Sequence, residues 1–214
     1  MGKGKLYVLE GLDGSGKATQ TALLTQALRA QGRQVLQISF PDYKSDSSAL
    51  VRMYLAGEFG EHPDDVNAYA ASSFYAVDRY ASYCRHWGAF YRDGGTVIAD
   101  RYTTSNAVHQ CAKLPSAQRD AYLDWLFHYE YALLGLPVPD TVLYLRVEPS
   151  ITERLIHERR QQTDIHERDR DYQRKSREAA DYCAARFHWQ TVECVRNGQM
   201  LPPEDIHRAI MARI

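Results

Sequence analysis

Residues Gly11-Leu12-Asp13-Gly14-Ser15-Gly16-Lys17 follow the spacing GxxxxGK, and the segments on either side of them constrain the fold more than any other feature. Leu6-Tyr7-Val8-Leu9 comes before the glycines as a short apolar run rich in strand formers. Behind them Ala22, Leu23, Ala27, Leu28 and Ala30 recur at helical spacing until Gly32 supplies a stop. The bare pattern arises by accident in about one chain in twenty of this length, so context decides. A loop whose backbone N–H groups surround a polyphosphate needs a strand before it and a helix after it. Only then does the helix N-terminus point at the phosphates. Val35-Leu36-Gln37-Ile38 reads as the next strand, and strand, helix, strand within forty residues predicts an α/β fold with a parallel sheet.

The rest of the chain keeps this alternation. Helices are expected over residues 47–56 and 64–92, the second with Asp64 as its N-cap. Thr96-Val97-Ile98-Ala99 is a buried-strand pattern ending in Asp100. Residues 102–112 and 116–134 read as helical, and Pro137 and Pro139 lead into the strand Thr141-Val142-Leu143-Tyr144-Leu145. Residues 150–186 are mostly helical and heavily charged, with an interruption near 161–164. Thr191-Val192-Glu193-Cys194-Val195 is the last expected strand, and Pro203 opens a final helix. That makes five strands flanked by helices. With 214 residues, no linker-like tract and no internal repeat, one domain spanning 1–214 is expected.

Charge excludes one class of partner. The 26 Lys+Arg against 27 Asp+Glu give a net charge of -1, which argues against binding a nucleic-acid polymer through a basic face. Of those cations 20 are Arg and 6 are Lys. Arg suits bidentate phosphate contacts, but codon bias accounts for a general surplus, so motif position must choose among them. Cys84, Cys111, Cys183 and Cys194 are widely spaced and form no CxxC pair, which fits a reducing cytoplasm. No signal-like apolar run opens the chain and no eighteen consecutive apolar residues occur, so neither secretion nor a membrane span is expected.

One position departs from the usual phosphate loop. Where GK is ordinarily followed by Ser or Thr, whose hydroxyl ligates magnesium, this chain has Ala18 and then Thr19. Mg²⁺ then needs nucleotide oxygens, water and a carboxylate from Asp13 or Asp100, while Thr19 offers a hydroxyl to the α-phosphate. Asp100 equally suits a second reading from local sequence alone, that of a strand-end Asp capping the next helix.

Several short motifs now fall in order. Glu10 through Lys17, Phe40-Pro41, Tyr54-Leu55-Ala56-Gly57-Glu58, Asp78-Arg79, Asp100-Arg101-Tyr102 with Ser105-Asn106, and Asp164-Ile165-His166-Glu167 together resemble the thymidylate kinase family of P-loop nucleoside monophosphate kinases. The match runs from Glu10 almost to the C-terminus. The resemblance implies a P-loop kinase fold with a mobile lid over about residues 154–168. It also implies a homodimer packed through long helices, and transfer of the ATP γ-phosphoryl group to dTMP, with Mg²⁺, on the way to dTTP.

For site residues the resemblance implies an ATP loop of Gly11, Leu12, Asp13, Gly14, Ser15, Gly16, Lys17, Ala18 and Thr19, with Arg154 from the lid. It implies a dTMP site of Asp13, Phe40, Tyr43, Tyr75, Arg79, Arg101, Ser105, Asn106 and His109. Tyr75 stands where the family stacks a Phe on thymine, and His109 where a Tyr often lies beneath the deoxyribose. Asp42 stands where a basic residue is common, an anion beside an anion unless it turns away.

The chemistry needs positioning and charge compensation more than a base. Arg79 and Arg101 are the candidates for the acceptor phosphate, and the resemblance gives Arg79 the thymine carbonyl as an alternative partner. A surface ion pair is the plain alternative for both. Residues 12–15 hold no cation, so the lid must supply one, from Arg159 or Arg160. Two rivals stand beside ATP:dTMP phosphotransfer. One is a deoxynucleoside kinase, which needs a carboxylate base at the sugar hydroxyl. The other is a P-loop binding module without activity, motivated by Ala18; a GTPase switch is weakened because no Asn is followed by Lys.

Overall fold

The computed structural model describes residues 3–148, 151, 166 and 169–214. Strands β1 Lys5–Glu10, β2 Val35–Ser39, β3 Thr96–Asp100, β4 Thr141–Arg146 and β5 Gln190–Glu193 form one sheet in the order β2-β3-β1-β4-β5. Every pairing in it is parallel. Central β1 is buried from Leu6 through Glu10, as a parallel strand covered on both faces must be. Its side chains alternate. Tyr7 and Leu9 join Leu24 and Leu28 of helix α1 (Lys17–Ala30) and Ile206 and Ile210 of the C-terminal helix Pro203–Met211. Leu6 and Val8 join Trp87, Val97, Ala99 and Tyr102 on the other face. Each fully buried aliphatic side chain contributes about 1.5–3 kcal/mol, so these two layers hold the sheet's carboxyl edge in place beneath the site.

Residues 64–92 are not one helix. Val66 is extended, and the Asp65 carboxylate accepts from the backbone of His62, closing a short turn at Pro63–Asp65. Helix α3 (Ala68–Ser82), which follows α2 (Ala49–Ala56), is capped by Asn67, whose side chain accepts from the Ala70 N–H at 2.9 Å; Asp64 does not cap it. A π turn over Tyr83–Trp87 then separates α3 from α4 (Gly88–Arg92). The wider turn lets fully buried Trp87 meet the rings of Tyr91 and Tyr102 at 6.1 and 6.2 Å.

Helix α5 (Thr103–Cys111) follows β3. The helix expected over residues 116–134 is α6 (Ser116–Phe127) followed by a second π turn, His128–Leu133, which carries the fully buried Glu130. Helix α7 (Arg170–Arg186) packs beside α5, and α8 is the C-terminal helix. The last strand also needs correction, because β5 ends at Glu193. Val195–Arg196 instead pairs antiparallel with Gln199–Met200 across Asn197-Gly198, both at positive φ. Asn-Gly between two short runs is a legible hairpin signal that the strand reading passed over. No helix among the described residues is long and apolar enough to cross a membrane.

Candidate active site

The glycine loop leaves β1 at the carboxyl edge of the sheet, where open α/β folds bind ligands. A Cβ on Gly11 would stand 2.7 Å from Ser15 Oγ and 2.8 Å from the Leu145 carbonyl, so the loop closes only over glycine. Gly16, at φ 86, turns the chain into α1, and no side chain caps that helix. Its first-turn N–H groups and its dipole therefore face the loop as an anion site. Lys17 reaches back so that Nζ donates to the carbonyls of Gly11 and Leu12, both at 2.8 Å. Burial, and then the charge of Arg101, push its pKa down to about 8 against the pull of Asp13, Asp100 and Glu10. Glu10, fully buried, accepts from the Gly11 N–H and from the hydroxyls of Thr104 and Ser105, tying the loop to the first turn of α5.

Arg101 is the pivot between loop and α5. Its backbone sits at φ 67, a left-handed conformation rare outside glycine, and its N–H donates to Leu9 O at 3.1 Å. Nη2 donates to Asp13 Oδ1 at 2.5 Å, and Nη1 lies 3.4 Å from Ser105 Oγ and 3.1 Å from His109 Nε2. Nη1 is also 3.7 Å from Glu10 Oε1. Burial opposes the charge on Arg101, but Asp13 and Glu10 outweigh it and raise its pKa. Burial likewise draws the Asp13 carboxyl upward, and Arg101 with Lys17 overrides it, holding Asp13 well below the usual carboxylate range. Asp100 does not cap α5. The N-cap residue is Tyr102, with no side-chain cap, and Asp100 Oδ1 is buried without a hydrogen-bond partner among the described residues.

Two cavities open here. One is lined by Asp13, Gly14, Gly16, Lys17, Ala18, Thr19, Asp100 and Arg101; Gly11, Leu12 and Ser15 are buried in the turn itself. The other is lined by all nine residues expected around dTMP: Asp13, Phe40, Tyr43, Tyr75, Arg79, Arg101, Ser105, Asn106 and His109. Asp42 lines neither cavity; its N–H donates to Asp78. Arg79 is not in a surface ion pair. It is buried, and forks onto buried Glu130 through Nε and Nη2 at 2.7 and 2.5 Å. Arg154, Arg159 and Arg160 lie outside the described residues.

Two residues were missed from sequence, one behind the wall of the acceptor cavity and one lining it. Glu130 had no local signal beyond a charge inside an aromatic run. His166 was legible only as part of a motif. It lines the acceptor cavity, stacks on His109 at 5.6 Å and hydrogen-bonds Tyr54 Oη at 2.9 Å, while Tyr54 meets Tyr75 edge-on at 6.4 Å. His109 is buried. Because Arg101 can only donate, His109 Nε2 accepts and Nδ1 carries the proton.

Both imidazoles resist protonation. Burial, then Lys113, pushes His166 down to about 3, and burial, then Arg101 and His166, pushes His109 well below its ordinary value. The unfolded chain therefore binds more protons than the folded one from about pH 6.5 downward, to about pH 3 for His166. Stability rises with pH across that window. Each His should cost about 1.4 kcal/mol per pH unit on acidification within it. Urea unfolding at several pH values between 7 and 4.5 checks this. A His166→Gln variant should show a shallower slope, and an unchanged slope would refute the assignment.

The fold and the two joined cavities define a phosphate-loop kinase. Comparison with known proteins agrees: the family model for thymidylate kinase matches residues 9–210. Thymidylate kinase of Mycobacterium tuberculosis is 33% identical over 177 residues, covering 80% of this chain and 81% of that protein. The human thymidylate kinase is 30% identical over 146 residues, covering 68% of this chain and 62% of that protein. The solved thymidylate kinase of Candida albicans shares the fold, with a TM-score of 0.72 at 20% identity over 99% of this chain and 91% of that one. This chain belongs to the thymidylate kinase family.

Proposed function

We propose that this protein transfers the γ-phosphoryl group of ATP to dTMP, releasing dTDP and ADP. The observation that carries the reading is that the two cavities share one wall: Asp13, Phe40, Pro41, Tyr43 and Arg101 line both. A donor held on the glycine loop and an acceptor held among the aromatics would meet at that wall, with Arg101 between their phosphates. Lys17 and the α1 N-terminus would hold the donor's outer phosphates, and Asp13 would hold the guanidinium in place. Arg79 lines only the acceptor cavity, beside Asn106, which favours the base over the phosphate as its ligand. Tyr75 would stack on the base. Arg159 and Arg160, with Arg154, are proposed lid cations from the family resemblance.

Magnesium fits the donor set in part. Ala18 offers no side-chain oxygen, but Asp100 lines the phosphate-loop cavity and its buried Oδ1 has no hydrogen-bond partner among the described residues. Asp13 already binds Arg101. Asp100 is therefore the residue proposed to hold Mg²⁺, directly or through water, as a site that keeps several waters allows. Bound there with the nucleotide, the ion would neutralise phosphate charge.

A deoxynucleoside kinase would need a free carboxylate at the sugar hydroxyl. Asp13, the carboxylate that lines the acceptor cavity among the described residues, is instead committed to Arg101. The test measures ADP release from ATP with dTMP and, separately, with thymidine. Turnover of dTMP is expected, lost on chelation of Mg²⁺. Thymidine turnover without dTMP turnover would establish the nucleoside kinase. ATP binding with no dTMP-dependent ADP would establish an inactive module.

A further inference from the structure

Glu130 lines neither nucleotide cavity, yet its carboxylate accepts four hydrogen bonds in the interior. Oε2 takes Arg79 Nε at 2.7 Å and Thr103 Oγ1 at 2.7 Å; Oε1 takes Arg79 Nη2 at 2.5 Å and Asn106 Nδ2 at 3.1 Å. Asn106 Nδ2 also donates to the Ser72 carbonyl at 3.1 Å. Both partners of this amide can only accept, so the amide cannot be turned the other way round. The atom Asn106 has left for the cavity is Oδ1, an acceptor. Arg79, with Nε and Nη2 on Glu130, has Nη1 left, a donor. One buried carboxylate thus sets adjacent residues of the cavity wall as one donor and one acceptor.

That order has a chemical complement. Thymine and uracil present a C4 carbonyl, which accepts, beside N3–H, which donates. Cytosine presents the reverse, an N4 amino group beside an unprotonated N3. A cytosine in the same place would set donor against donor and acceptor against acceptor. Sites built on paired polar groups discriminate strongly, because a mismatch leaves buried groups unsatisfied.

We propose that Glu130 is a positioning residue for base recognition: through Arg79 and Asn106 it fixes the polarity of the pocket edge, so that the site takes thymine or uracil monophosphates and rejects cytosine. The inference rests on reading this cavity as the dTMP site. The π turn His128–Leu133 is what places Glu130 here; a continuous α-helix would carry position 130 to a different angle. In Glu130→Gln one arm becomes a donor, so Arg79 loses a partner or Asn106 turns and presents N–H to the cavity.

The test compares kcat and KM for dTMP, dUMP and dCMP at fixed ATP in the natural protein and in Glu130→Gln. The variant is expected to lose about thirtyfold in kcat/KM for dTMP and dUMP, chiefly through KM. KM for ATP should stay within about twofold, and the dTMP-to-dCMP preference should contract at least about tenfold. A parallel fall for all three acceptors, with the preference unchanged, would mean a merely structural part for Glu130 and overturn the proposal. If Glu130→Gln does not fold, the natural protein still decides the polarity. It should prefer dUMP over nearly isosteric dCMP by about a hundredfold or more, and equal use of the two overturns the inference. Failure of the natural protein to turn over dTMP at all would instead sink the site reading beneath it.

Discussion

Arg101→Leu is expected to lower kcat by about a thousandfold or more, the scale of a lost transition-state arginine in phosphoryl transfer. Arg101 touches both cavities, and its guanidinium is already oriented by Asp13, Ser105 and His109. Little reorganisation is then needed when charge develops between the phosphates. Arg101→Lys should recover little, because an ammonium cannot fork among those three partners. The backbone adds a second readout. A non-glycine residue at φ 67 stores about 1–2 kcal/mol of strain. Arg101→Gly should relieve that strain, and so melt above Arg101→Leu while remaining equally inactive. Coupled ADP assays with thermal melts separate the two effects, and a kcat within tenfold of the natural protein would remove Arg101 from the reaction.

Lys17→Met is the second large effect, about a thousandfold in kcat/KM for ATP with dTMP binding little changed, since Lys17 lines only the phosphate-loop cavity. A pH signature accompanies it. With its pKa lowered to about 8, Lys17 is half neutral at that pH before nucleotide binds. Phosphate anions favour the charged form, so ATP binding takes up a proton above about pH 8 and weakens by up to about tenfold per pH unit. Titration calorimetry at pH 8.5 in two buffers of different ionisation enthalpy measures that uptake. It should vanish in Lys17→Met, and uptake that persists there would place the proton elsewhere.

Legibility followed the range of the interactions. The five strands and α1 could be read because apolar runs, glycine spacing and proline stops act over a few residues. The breaks in residues 64–92 and 116–134 could not. An α-helix and a π turn share the same local propensities, and what favours the wider turn is burial of Trp87 in one case and of Glu130 in the other. The hairpin at Val195–Met200 was legible in Asn197-Gly198 and was missed by extending the strand two residues too far, to Val195. The residues expected around dTMP came from the family resemblance that motif order carries. Tyr75 on a helix looks like core, and only the assembled cavity sets it beside Phe40, Arg101 and Asn106.

By itself the sequence determined that a phosphate loop sits between a central strand and its helix, because backbone curvature there depends on glycines adjacent in the chain. It also singled out Arg79 and Arg101 from twenty arginines by their place in ordered motifs. Only the tertiary structure decided which partners hold those two arginines. Arg101 finds Asp13 across 88 positions and Arg79 finds Glu130 across 51. Partners so remote are chosen by how helices pack on the sheet, and a guanidinium's free donors are whatever those partners leave.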